Sequence, residues 1–244
     1  MIMSTGDLEP AAKNLAERCL AKFDDSAASP DVRAFSLSIL LSQISHGNRA
    51  MMAYVPEICQ CLKDCSDLMR PDAAGCVASD FHRQVIDAVT VIFDSSRIEC
   101  IVGGLDTLLP YLVQLVGCQD IETASLACQF WARHSNRTST ALIASVMPDL
   151  VTALMDRMIF REHFELSSFQ LLCQRAASAL ESVIETCAPE LTLETFRPLL
   201  EMRIESDSWM EKEAAIRALG AFTIAARQYH ATIAKSTLPI SYGQ

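Results

Sequence analysis

Five prolines fall inside apolar helical patterns: Pro56 in MMAYVPEICQCL, Pro110 in LDTLLPYLVQLV, Pro148 in IASVMPDLVTALM, Pro198 in LETFRPLLEMR and Pro239 in KSTLPISY. A proline within a helix removes one backbone donor and crowds the preceding turn, so each stretch predicts a helix that is kinked rather than ended. After each of the first four comes a turn and a second helix of smaller residues: SDFHRQVIDAVTVIFDSS (79–96), QDIETASLACQFWARHS (119–135), SFQLLCQRAASALESVIETCA (168–188) and DSWMEKEAAIRALGAFTIAA (207–226). A fifth, SPDVRAFSLSILLSQIS (29–45), precedes them, with Pro30 suited to a helix start and 7–23 as its upstream partner. The prolines stand 54, 38, 50 and 41 residues apart, in the range of a helical-pair repeat of roughly 40–47 residues with loop insertions.

Glycine is sparse, with eight residues, and no stretch alternates in the manner of a strand. A helix pair cannot hide its apolar face alone, so neighbouring pairs stack and share one core. The expected fold is all-α: a right-handed α-solenoid of HEAT-type repeats, about five antiparallel pairs plus a partial one, forming a single array over 1–244. The alternative is an irregular helical bundle. Within 168–188, Leu172, Ala176, Ala179, Leu180, Val183, Ile184 and Cys187 recur at helical spacing as a core face, while Gln174, Ser178, Glu181 and Glu185 make one polar stripe. Trp209 is expected to pack between helices near a turn.

The ten cysteines are scattered, mostly in apolar helical segments, and read as reduced core residues of an intracellular protein. No secretion signal opens the chain, and no run approaches the roughly 18 apolar residues of a membrane span, so a soluble protein is expected. The formal net charge of −10 argues against nucleic acid or an anionic membrane as the main partner and favours basic ones. The five histidines are dispersed, and no metalloprotease helix, phosphate-binding glycine loop or nucleophile elbow is present, so neither enzyme activity nor a cofactor is expected. Cys59, Cys61 and Cys65 in CQCLKDC cannot hold a tetrahedral metal without ligands from elsewhere, and no metal is expected.

Three stretches carry a resemblance. DIETASLACQFWARHS ends in a pattern of Ala127, Cys128, Phe130 and Trp131; CQRAASALESVIETCAPELTLETFRPLLE joins an alanine-rich helix to the next proline-bearing one; DSWMEKEAAIRALGAF brings Trp209, Lys212, Glu213, Leu219, Gly220 and Ala221. In this order they resemble the beta-karyopherins of the importin-beta superfamily, nuclear transport receptors built from HEAT repeats, and most nearly the central part of the transportin branch.

The resemblance implies a nuclear transport receptor segment, working in cytoplasm and nucleus at the nuclear pore. Its inner helices would receive basic nuclear localisation signals, and its outer helices would offer apolar grooves to Phe-Gly nucleoporins. It places Ala177, Glu181 and Leu219 where transportins touch cargo. An alanine lets an extended chain approach, a carboxylate attracts Arg or Lys, and a leucine adds apolar contact. Read without the resemblance, Glu181 belongs to a solvated stripe and Leu219 to the core between repeats. Three departures weigh on the implied function. Set against the resemblance, the family's N-terminal repeats, which take most of its Ran GTPase contact, are expected to be absent, the place of its long acidic loop holds only FREHFELSS (160–168), and TLPISYGQ falls inside an expected outer helix. The alternative function is a HEAT-repeat scaffold that holds a protein assembly together without a transport role.

Overall fold

The structure, a computed structural model, describes residues 5–25, 27–46, 48–64, 76–94, 105–138, 140–159, 165–187 and 189–237. Among them the chain is helical, with no strand: α1 (Thr5–Asp24), α2 (Pro30–Ser45), α3 (Val55–Asp64), α4 (Cys76–Asp94), α5 (Leu105–Val116), α6 (Ile121–His134), α7 (Thr140–Arg157), α8 (Leu166–Cys187), α9 (Pro189–Glu205) and α10 (Trp209–Thr237). In chain order these make five successive pairs, the architecture that the repeated pattern predicts. Proline stands inside α5, α7 and α9, and also inside α1 at Pro10.

The chain forms two compact units, 1–123 and 124–244. In the first, α1 packs on α2, and α2 on α4. Ala12, Ala16, Cys19 and Phe23 form the buried stripe of α1 at steps of four, three and four. Ser29 caps α2 by accepting from the Val32 amide at 3.4 Å, with Pro30 at the first helical position, where a missing amide costs nothing. The Arg33 guanidinium lies 4.7 Å from the centre of the Phe23 ring and donates to the Phe23 carbonyl at 2.9 Å, tying the α1–α2 turn shut. Buried His82 on α4 hydrogen-bonds the buried Tyr111 hydroxyl on α5, and burial pushes that hydroxyl's pKa up. Asp120 caps α6 through the Thr123 amide at 3.1 Å and also pairs with Arg83 at 3.1 Å. Burial works to raise its pKa, but the Thr123 and Arg83 hydrogen bonds prevail and hold it low.

In the second unit α8 is central, packed on α7 and α10, while α9 packs on α7 and α10. The buried side of α8 comprises Phe169, Leu172, Cys173, Ala176, Ala179, Leu180, Val183, Ile184 and Cys187, which contains the whole core face that the spacing predicts. Ala214, Ala215, Ala218, Ala221 and Ala225 are the buried side of α10. Alanine on this side lets α10 lie close against α8 and α9. Phe196 of α9 and Phe222 of α10 stack with ring centres 4.8 Å apart and planes at 14°. Ala127, Cys128, Phe130 and Trp131 of α6 are all buried.

Three expectations are corrected. Pro56 lies in the first turn of α3 rather than in a helix interior, because a 3-10 turn (Arg49–Tyr54) takes up the preceding residues. Trp209 is 62% exposed instead of packed between helices: it is the first residue of α10, and its side chain starts on the face turned away from α8 and α9. The helix read over 207–226 runs further, as α10, to Thr237, because the residues from Ala221 to Thr237 contain no glycine or proline. Pro239 and the rest of 238–244, the 160–164 part of the short loop, and Cys65 lie outside the described residues.

Candidate functional site

The exposed stripe of α8 is built as the spacing predicts. Gln174, Ser178 and Glu185 are exposed, and Ala177 and Glu181 are half-buried along its margin. Neither Glu181 nor Glu185 has a basic partner among the described residues. Burial, and then the neighbouring charge of Glu185, push the Glu181 carboxyl above its usual range. The nearby arginines are engaged elsewhere: Arg175 on the opposite flank donates to Ser125 of α6 at 2.8 Å, where Ser182 also meets Ser135 at 2.8 Å.

The other flank of α8 faces α10. There Arg217 Nη1 approaches Cys173 Sγ at 3.9 Å and pairs with Glu213 at 2.6 Å. Burial pushes the Cys173 thiol up, with the Arg217 charge pulling against it. Ala177 lies four residues after Cys173 and Glu181 eight, so both lean toward this boundary. On α10, Gly220 and Ile224, three and seven positions on, lie between the Arg217 flank and the outward side of the helix. Ile224 and Arg217 are the neighbours that sequence reasoning did not single out. Their signal was present in the spacing, but the flank could be chosen only once α8 was seen to pack there.

Leu219 is placed differently. It is 41% exposed, and two residues along a helix turn the side chain by about 200°. It therefore leaves α10 on the flank opposite Arg217, the one that carries His230, whose Nε2 stands 3.9 Å from Glu190 of α9. The structure thus brings Ala177 and Glu181 together on α8 and sets Leu219 on the far flank of α10. Trp209 and Ile216, 67% exposed, lie on the outward side of α10 between these flanks. Lys212 is exposed beside them.

Among the described residues no group of three His, Cys, Asp or Glu side chains stands together as metal ligands. Cys59 and Cys61 are buried, and burial pushes the Cys59 thiol up to about 12. No described helix is long and apolar enough to cross a membrane.

No family model matches the chain. No curated protein matches it either. Among solved structures it is similar to Kap121p in its crystal structure bound to Nup53p, with 14% identity and a TM-score of 0.56, over 94% of this chain and 24% of that one. It also aligns with a designed armadillo repeat protein in complex with the peptide (KR)4, at 15% identity and a TM-score of 0.49, covering 93% of this chain and 92% of that one. The likeness to Kap121p shows the helical-repeat solenoid fold. The chain spans about a quarter of that protein's length, and the likeness does not single out the transportin branch.

Proposed function

We propose that the protein binds an extended, basic segment of a partner protein across α8 and α10, as the cargo-binding segment of a nuclear transport receptor does. The observation that carries the reading is the pair of carboxylates, Glu181 and Glu185, four residues apart on the polar stripe of α8 with no basic partner among the described residues. Like charges at this spacing repel, and a Lys or Arg from a ligand relieves the repulsion while gaining a charge-assisted hydrogen bond. Ala177 leaves room beside them for a backbone. Leu219 gives apolar contact to the part of the ligand that crosses α10. The net charge of −10 draws such a ligand in.

Fold similarity to Kap121p, a protein bound to Nup53p in its own structure, fits a protein ligand. Leu193 and Ile204, exposed on the outer helix α9 and eleven residues apart on one flank, would take a Phe-Gly segment of a nucleoporin. Shuttling between cytoplasm and nucleus, and any contact with the Ran GTPase, belong to the same proposal. The exposed apolar side of α10 favours a second reading, a scaffold with one stable protein partner and no transport role. Titrating labelled peptides into the whole chain separates the two. Saturable binding of a basic signal peptide that Glu181→Lys abolishes supports the first, and silence toward both basic and Phe-Gly peptides favours the second.

A further inference from the structure

The outward side of α10 is more apolar than a solvated helix face needs to be. Trp209, Ile216 and Ile224 are exposed there, and Gly220 stands between the two isoleucines. A glycine in a helix interior is unfavourable relative to alanine, yet a Cβ built at Gly220 would meet nothing within 4 Å among the described residues. The packing of the described residues therefore makes no use of the missing side chain. A second backbone approaching the helix at that point would.

The pattern on this face is symmetric about Gly220. Ile216 and Ile224 lie four residues to either side, Glu213 and Arg227 seven, and Trp209 and the small, exposed Ala231 eleven. We propose that the face is covered by a second copy of the chain, with the two α10 helices packed antiparallel about a two-fold axis through Gly220. In that register Ile216 meets Ile224 of the second copy, Trp209 covers its Ala231, and Glu213 meets its Arg227, each contact occurring twice as an isologous interface requires. Glu213 uses Oε1 for Arg217, which leaves Oε2 for the incoming guanidinium. Arg227 has no ion-pair partner of its own among the described residues. A parallel pairing would set Glu213 against Glu213 and Arg227 against Arg227, so the charges select the antiparallel arrangement. The contact runs from Trp209 to Ala231, about 33 Å of helix.

The inference does not rest on the peptide reading, and no peptide enters its test. Sedimentation equilibrium of the whole chain across a wide concentration range should show a monomer–dimer equilibrium. Ile216→Asp, at an exposed position that leaves the fold intact by circular dichroism, should raise the dimer Kd about a hundredfold or more, since the change occurs twice. Glu213→Arg alone should raise it about tenfold, and adding Arg227→Glu should restore it. Gly220→Ala should raise the monomer's thermal midpoint and yet weaken the dimer, a pairing of signs that an ordinary surface glycine would not give. Gly220→Cys should form a chain-to-chain disulfide on mild oxidation, while Ile216→Cys or Ile224→Cys alone should not, because only the residue on the axis faces its own copy. A monomer at every concentration overturns the proposal, as does a dimer indifferent to Ile216→Asp and to the charge reversal.

Discussion

The two tryptophans offer a sharp test of the packing. Trp131 is 0% exposed, with its ring edge-on to Phe130 at 5.7 Å between centres and 81° between planes. A fully buried tryptophan removes about 150–250 Å² from water. Its truncation to alanine generally costs about 3–5 kcal/mol. Here the indole Nε1 is buried without a hydrogen-bond partner among the described residues, a desolvation cost of about 1–3 kcal/mol that the mutation removes. Trp131→Ala should therefore fall near the lower end, about 3 kcal/mol. Trp131→Phe deletes the orphan N–H while keeping most of the ring, and should stay within about 1 kcal/mol of the parent. Trp209 keeps little more than a third of its surface covered, so Trp209→Ala should cost at most about 1.5 kcal/mol. Urea unfolding followed by far-ultraviolet circular dichroism measures all three. Iodide should quench the fluorescence of the Trp131→Phe protein, which retains only Trp209, and leave that of Trp209→Phe nearly untouched. Equal costs for the two alanine variants, or free quenching of Trp131, would refute the placement of α6 in the core.

Other expectations concern charge. Arg203 of α9 is 3% exposed and paired with the half-exposed Asp156 of α7, so Asp156→Ala, which strands a buried guanidinium, should destabilise by about 3 kcal/mol in denaturant titration. Arg203→Met should cost clearly less, and the reverse order would contradict the assigned burial. Asp120 has its pKa lowered on folding, so its contribution to stability is present above the ordinary carboxylate range and lost as pH falls through the folded value. Asp120→Asn should therefore flatten the acid limb of the stability curve below about pH 4, and an unchanged limb would count against the cap. Glu181 is shifted the opposite way, so protonation favours the folded chain as pH falls and removes the charge that a basic ligand needs. Basic-peptide affinity should begin to fall at a pH above the ordinary glutamate range, and Glu181→Gln should remove that part of the pH dependence.

The helices were legible because each buries one stripe: the core face of α8 follows directly from its spacing, and the polar stripe opposite is the surface that the repulsion between Glu181 and Glu185 makes interesting. What could not be read was which flank of a helix meets which neighbour. Leu219 and Arg217 are two residues apart, so the helix sets them nearly half a turn from each other, and only the packing of α10 on α8 shows that Arg217 is the one on the α8 flank. Trp209 misled for a related reason, since a large aromatic predicts burial but the first residue of a helix takes its direction from the helix axis. The length of α10 was hidden because its second half carries enough polar residues to resemble a turn, although none of them breaks a helix.

The most direct measurement of the central claim is fluorescence anisotropy of a labelled basic signal peptide titrated with the whole chain, beside Glu181→Lys and a peptide whose basic residues are replaced by glutamine. Saturable binding that weakens at least about tenfold with either change, as expected for loss of a charge-assisted contact replaced by repulsion, is the predicted result. Equal affinity of the parent and Glu181→Lys proteins for the basic peptide, with circular dichroism showing both folded, would contradict it.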